Sequence, residues 1–366
     1  MRLLVASLAF AVGLAGRPSK AWRDGKFKTM VTFGDSFTDE TRLTYFLNNN
    51  GSAPPVGWDE PLVNSPYLLS LSFFRRGLAT ASGGLSWARY ASIYSQVELY
   101  NYAVYGACCD NNISPLYYAA LNGPYPDITS YELPAFIADS KYTSPDGKKF
   151  FTGQPDSTVY AIWIGTNDLG NDAFLTDSQV PGKTVKDYID CVYNTIGKLY
   201  ANGARYFVIL NLAPLNLAPQ YATPENGGKD GVPFFPANGR NVTATSYRMM
   251  ETVTSLNQVY KYRTPFAAAV SDKYPGARMA NFDVHALMTD IWQNPSNYLN
   301  GSAPLNVTGH SQQCSDVLGL NCTLSDSPDS YMWFDPLHPS EQTSRIVARE
   351  FVGVLGGKSK WAEYWA

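Results

Sequence analysis

The chain is short of the residues that announce metal, redox or nucleic-acid chemistry. Three histidines and five cysteines are spread over 366 residues. None of the cysteine spacings matches a zinc-binding pattern, so neither a metal nor any other cofactor is expected. Charged residues make up 16%, with 28 Lys+Arg against 31 Asp+Glu and a net charge of −3. No basic run interrupts that balance, which leaves no electrostatic footprint for a nucleic-acid partner. Long apolar runs are scarce too. The one that stands out, Leu3 to Leu14, is shorter than the roughly 20 residues that span a bilayer, so no membrane anchor is expected. Internal repeats and low-complexity tracts are missing as well.

That single apolar run follows Met1-Arg2, carries the small residues Gly13 and Ala15, and stops abruptly at Gly16-Arg17-Pro18-Ser19. It reads as a secretory signal peptide over 1–15, leaving 16–366 as one domain, exported and extracellular. Six Asn-x-Ser/Thr sequons, at Asn50, Asn112, Asn241, Asn300, Asn306 and Asn321, fit a glycoprotein of a eukaryotic secretory route. Cys314 and Cys322 bracket a short polar loop and are the best disulfide pair; closing it is worth roughly 2.5 kcal/mol. Either Cys108 or Cys109 can pair with Cys191, which leaves one thiol over. Hydrophobic residues at 45% suffice for a large core, and the 14% aromatic share, led by 25 tyrosines, leans toward a sugar ligand without deciding it.

Strand and helix patterns alternate along the chain. Strands are expected at Lys28–Phe33, Leu99–Val104, Thr158–Ile164, Arg205–Asn211 and Arg278–Asp283. Helices are expected at Leu85–Tyr94, around Leu133–Ala138, at Val185–Ala201, at Tyr247–Val270 and over Ser340–Leu355, with Ser340 as N-cap. The alternation predicts a three-layer α/β/α sandwich around a parallel sheet. Ligands of such folds bind at the carboxyl ends of the strands. The long connections at 40–84, 110–154, 212–240 and 284–334 read as loops that build a cleft over that rim.

Four stretches fall on the rim. Gly34-Asp35-Ser36-Phe37-Thr38-Asp39 turns out of the first strand, and Gly106 follows the second. Gly165-Thr166-Asn167-Asp168 follows the third, and Asp335-Pro336-Leu337-His338-Pro339 precedes the last helix. A serine nucleophile needs a base, a group that orients the base, and donors for the oxyanion. Elimination among three histidines chooses the base. His285 follows a strand and reads as structural, whereas His310 lies in a sequon-bearing loop. His338 stands three residues after Asp335 in a proline-stiffened turn, where a carboxylate can fix the imidazole's tautomer. Ser36, His338 and Asp335 are therefore the candidate catalytic residues. The backbone N–H groups after Ser36 and Gly106, with the Asn167 side-chain amide, are candidate oxyanion donors. Singly, Gly106 and Asn167 read as turn residues. Asp35 and Asp168 are expected as supporting or capping groups and Asp39 as an N-cap. The Gly-x-Ser-x-Gly elbow of ordinary α/β-hydrolase lipases is missing.

Together the four stretches, in this order, resemble the GDSL or SGNH hydrolase superfamily over about residues 28–355. The resemblance implies a flavodoxin-like SGNH sandwich, a metal-free Ser-His-Asp esterase working through an acyl-enzyme, and a shallow open site. The wording Phe-Gly-Asp-Ser-Phe-Thr-Asp, the leader and the length are similar to fungal secreted acetylesterases of carbohydrate esterase family sixteen. That implies an acetylated (xylo-)oligosaccharide from plant wall as substrate, and a monomer. The Cys108-Cys109 pair beside the glycine donor is a departure. Two other readings compete. A lipase or phospholipase on the same scaffold would want an apolar flap, where these loops are polar and carry sugar-compatible aromatics such as Trp58 and Trp87. A non-catalytic carbohydrate-binding glycoprotein would have no need of all four stretches.

Overall fold

The computed structural model describes residues 21–60, 80–314 and 322–365. The leader over 1–15 and the sequon at Asn321 lie outside them.

Five short strands and the helices between them set the frame. Strands β1 (Thr29–Gly34), β2 (Glu98–Asn101), β3 (Thr158–Trp163), β4 (Tyr206–Leu210) and β5 (Arg278–Phe282) run parallel in one sheet, and β6 (Ala362–Trp365) closes its far edge. The spatial order is β2-β1-β3-β4-β5-β6. Every residue of β1, β3 and β4 is buried, as continuous apolar and β-branched runs require when both faces are covered. The chain steps one way from β1 to β2, then the other way through β3, β4 and β5. With right-handed crossovers, this reversal sends helices to both faces.

Helix α2 (Trp87–Ser95) packs against the last helix, α8 (Glu341–Leu355). On the other side, α3 (Leu133–Asp139) meets α5 (Val185–Ala201). Tyr188 of α5 shares a 2.7 Å hydroxyl contact with Tyr260 of the long α6 (Val242–Pro265). The ends of these helices follow from their caps. Thr184 and Asp187 form a capping box on α5, Asn241 accepts the Ala244 N–H on α6, and Ser340 accepts the Thr343 N–H on α8. Among the described residues there are three further α-helices: α1 (Arg42–Asn48), α4 (Thr166–Leu169) and α7 (Val284–Gln293).

The sheet departs from expectation at one edge. Strand β6 is antiparallel to β5, with Ala362 opposite Phe282 and Trp365 opposite Met279. Ala-Glu-Tyr-Trp is too short to show a period, so it left no signal. Helix α2 starts at Trp87 rather than Leu85, because Ser86 caps it through the Arg89 N–H. Helix α6 begins five residues earlier than its apolar pattern suggests; Pro265 ends it, and a π-turn continues over Phe266–Val270. Helices α1 and α7 form inside stretches read as loops.

Both disulfides form. Cys314 pairs with Cys322, and Cys109 pairs with Cys191 of α5, leaving Cys108 as the buried free thiol. Among the described residues, no helix is long and apolar enough to cross a membrane.

Candidate active site

The reversal in strand order lies between β1 and β3 and opens a crevice at their carboxyl ends. Ser36 leaves β1 on one side of it. Gly165 leads from β3 into α4 on the other side and places Asn167 there. Gly34 must lack a side chain, since a Cβ there would lie 2.2 Å from the Trp163 carbonyl oxygen across the sheet.

His338 reaches the crevice from the turn before α8. Its Nε2 accepts the Ser36 hydroxyl at 2.9 Å, and its Nδ1–H donates to Asp335 at 2.7 Å to Oδ2 and 2.9 Å to Oδ1. The backbone N–H groups of Leu337 and His338 also donate to Asp335 Oδ1, both at 2.8 Å. The carboxylate thus builds the turn and sets the tautomer in one stroke, leaving Nε2 as proton acceptor. Phe37, Tyr105 and Phe234 surround the imidazole, with ring centroids 5.8, 5.4 and 5.3 Å from its own. Ser36 is 4% and His338 2% exposed.

The candidate donors lie in the same cleft. Gly106 takes φ +81°, and a Cβ on it would meet the Tyr125 ring at 2.5 Å, so both conformation and packing demand glycine. The Asn167 amide spends one N–H on the Ala107 carbonyl at 2.7 Å, which aims the other. Gly106 and Asn167 line one cleft of about 480 Å³ with Ser36 and His338.

Buried carboxylates hang the loop around Gly106 in place. Glu132 accepts the N–H of Gly34 at 3.0 Å and of Val104 at 3.3 Å. Asp39 accepts Tyr105 N–H at 2.8 Å as well as the N–H groups of Arg42 and Leu43 in α1. Asp168 accepts Cys109 N–H at 3.0 Å and the Ser114 hydroxyl at 3.0 Å. Asp35 accepts the Phe37 N–H at 3.0 Å. The expected supporting roles of Asp35 and Asp168 are therefore seen, whereas Asp39 is not the N-cap of α1: Thr41 holds that position, and Asp39 accepts the first helical N–H groups from two residues before Thr41. Burial pushes Asp35 and Asp39 up to about 6, Asp168 to about 7, and Glu132 well above the usual carboxylate range.

The other two histidines stay away from Ser36. His285 sits in α7 beside a separate hollow, and His310 bonds the Gln312 carbonyl through Nδ1. Burial lowers the pKa of each.

The aromatic expectation needs correction. Trp87 is 1% exposed, with its indole N–H on the Thr38 hydroxyl, and is core rather than sugar platform. Trp58 lies over Arg42 in a different hollow. The rings that do wall the cleft are Tyr105, Tyr117, Tyr118, Tyr125, Tyr221 and Phe234, with Tyr118 stacked on Tyr125 at 4.8 Å. Neither they nor Glu132 carry a motif, and only their position in the long connections pointed to them.

The described sequons are open to different degrees. Asn50, Asn112, Asn241 and Asn300 are exposed. Asn241 caps α6, and the half-buried Asn306 accepts the N–H groups of Thr308 and Gly309.

The chain is similar to several known proteins. Residues 30–351 match the family model described as GDSL-like Lipase/Acylhydrolase. An acetylesterase from Hypocrea jecorina is 40% identical over 342 residues, covering 93% of this chain and 92% of its own. An acetylesterase from Thermothelomyces thermophilus is 24% identical over 355 residues, covering 94% and 93%. A GDSL esterase/lipase from Arabidopsis thaliana is 26% identical over 208 residues, covering 53% and 49%.

Proposed function

As the chain belongs to the GDSL-like lipase/acylhydrolase family and is a carboxylic ester hydrolase, we propose that it is a secreted acetylesterase acting on acetylated plant-wall (xylo-)oligosaccharides. The observation that carries the proposal is the hydrogen-bonded chain from Ser36 through His338 to Asp335, set beside two amide donors in a cleft whose walls mix aromatic rings with polar side chains.

In this reading Ser36 Oγ attacks the ester carbonyl while its proton passes to His338 Nε2. Asp335 stabilises the imidazolium that forms. The backbone N–H groups of Ser36 and Gly106, with the free N–H of Asn167, receive the oxyanion. Collapse expels the sugar alkoxide, which takes the proton from Nε2, and leaves acetyl on Ser36. Water, deprotonated by the same imidazole, then releases acetate and restores the hydroxyl.

The acetyl reading draws support from the 40% identical relative, itself named an acetylesterase. The cleft supports it too. Its walls carry tyrosine hydroxyls and the polar groups of Asn171, Asp172 and Gln220, where a long acyl chain would want continuous apolar surface. Export through the leader over 1–15 accords with two disulfides, which persist in oxidising compartments. The remainder, 16–366, acts as one domain and as a monomer, with glycan carried on exposed sequons.

The test is a chain-length series of p-nitrophenyl esters, followed by product analysis on acetylated xylo-oligosaccharides. A steep preference for acetate with release of acetic acid from the sugar is expected. Activity rising to C8 or longer would replace this reading with that of a lipase. Failure of a serine-directed phosphonate to label Ser36 would remove the catalytic assignment.

A further inference from the structure

A large apolar ring lies open to solvent in the cleft, directly against the His338 imidazole. Phe234 is 37% exposed and lines the same cleft as Ser36 and His338. Its ring centroid is 5.3 Å from that of His338, with the two planes nearly perpendicular at 87°.

The turn that carries this ring is fixed at both feet. Val232 and Phe235 exchange two backbone hydrogen bonds, each at 3.0 Å, which leaves Pro233 and Phe234 at the tip. Both feet are buried, and the Arg240 guanidinium lies 4.0 Å from the Phe235 ring centroid. The Phe234 carbonyl accepts the Asn171 side-chain amide at 2.8 Å. Both tip residues line the cleft. Apolar surface held in water at a fixed place is stabilised when a ligand covers it, with little ordering left to do.

The neighbours of the imidazole show which half of an ester meets this surface. Three rings border it. Phe37 is 7% exposed and packs on Trp163, so it closes the site from below. Tyr105 is half-buried and precedes Gly106, with its N–H held by Asp39. Phe234 is the most exposed of the three. With Ser36 and His338 in the roles proposed for them, the leaving oxygen takes its proton from His338 Nε2. The group carried by that oxygen therefore lies against the open surface that borders the imidazole, while the carbonyl oxygen goes to Gly106 and Asn167. We propose that Phe234 is the wall against which the alcohol half of the substrate packs, which makes it a specificity-determining residue for esters of ring alcohols such as a pyranose. The CH groups of a ring present an apolar face to it, and a short acyclic alcohol has none of comparable breadth.

The inference rests on the reading of Ser36 and His338 as nucleophile and base, and small esters test it apart from any sugar. The probes are tetrahydropyran-4-yl acetate and isopropyl acetate, two secondary esters of which only the first carries a ring. The readout is the ratio of their kcat/KM values, corrected for the alkaline hydrolysis rate of each ester. Wild type is expected to favour the ring ester by about tenfold, as for roughly two methylenes taken out of water. Phe234→Ala should bring the ratio to near one and Phe234→Leu to about threefold, whatever happens to the absolute rates, whereas Phe234→Tyr should keep it. A wild-type ratio near one overturns the inference and needs no variant. A ratio unchanged in Phe234→Leu overturns it too, even where the pH profile of kcat/KM moves, since the ring would then act on the imidazole alone. Ser36→Ala is the control: if it still hydrolyses the esters, the reading of the site itself fails, whereas an inactive Ser36→Ala with a flat wild-type ratio sinks only the role of Phe234.

Discussion

Glu132 takes the backbone N–H of Gly34 at 3.0 Å although 98 residues separate them, and its second oxygen takes that of Val104. Each of those residues stands two positions before a proposed functional one, Ser36 and Gly106. One carboxyl group therefore sets the span between nucleophile and glycine donor. Replacing Glu132 by Ala should take this acceptor from both N–H groups, leaving the Val104 N–H its bond to the Gly34 carbonyl at 3.1 Å, and should lower both stability and turnover. Glu132→Gln keeps an acceptor for one of them and should recover part of the loss. The check is kcat and thermal midpoint measured together: an unchanged kcat in Glu132→Ala would show that the span does not depend on this side chain.

Ser36→Ala and His338→Ala should each lower kcat by at least about 10³ while leaving the melting midpoint nearly unchanged. Asp335→Asn should also cost about 10² or more, since an amide N–H facing Nδ1 imposes the wrong tautomer. Steady-state rates on p-nitrophenyl acetate give the answer. Retention of activity in His338→Ala with loss in His285→Ala would move the base elsewhere.

Asn167→Ala should lower kcat by about 10²–10³ with little change in KM, as expected of a donor used in the transition state. Gly106→Ala should cost as much or more, because its Cβ would strike the Tyr125 ring and its backbone sits at positive φ. An Asn167→Ala enzyme with wild-type kcat would exclude that amide from the oxyanion site.

Stability and activity should respond to pH in opposite directions. Asp35 and Asp39 are raised from 3.8 to about 6 and Asp168 to about 7, so the folded chain holds protons that the unfolded chain has already lost. Their contribution is therefore fully present below about pH 4 and is lost as pH rises through 6 to 7. Turnover moves the other way, since a protonated imidazole cannot take the serine proton. Calorimetry across pH 4 to 8 should show the midpoint falling, and a midpoint that climbs steadily over that range would contradict it.

Loss of the Cys109–Cys191 bridge should destabilise more than loss of Cys314–Cys322, because the first spans 82 residues and the second 8. Converting Cys109 and Cys191 to Ser should lower the melting midpoint by on the order of 10 °C. Turnover should fall as well, since Cys109 ends the loop that carries Gly106. Equal midpoints for the two double variants would count against the loop-length argument.

The parts of this site written as contiguous motifs were legible before folding. Ser36, Asn167, Asp335 and His338 each sit at the end of an element whose periodicity marks it, so their common rim follows from alternation alone. Helix α5 showed its full span because its apolar positions and caps agree. Glu132 was not legible: one acid in a short helical patch looks like a solvated face, and only packing reveals the two N–H groups it meets. Gln220 and Tyr125 lie in long connections without a period, where tertiary contacts decide placement. Trp87 misled for the converse reason, since an aromatic on a short helix looks alike whether it faces a ligand or the core. The choice between Cys108 and Cys109 turned on which side chain points at α5, a matter of one residue in a loop.

Ser36 and His338 stand 302 residues apart in the chain, and that distance acts as a timer during synthesis. A ribosome delivers the hydroxyl early and its proton acceptor almost last, so the nascent protein carries an ordinary alcohol until the final helix docks. With Ser36 and His338 in the roles proposed for them, a chain interrupted anywhere before that turn should hydrolyse no ester, rather than keep part of the activity.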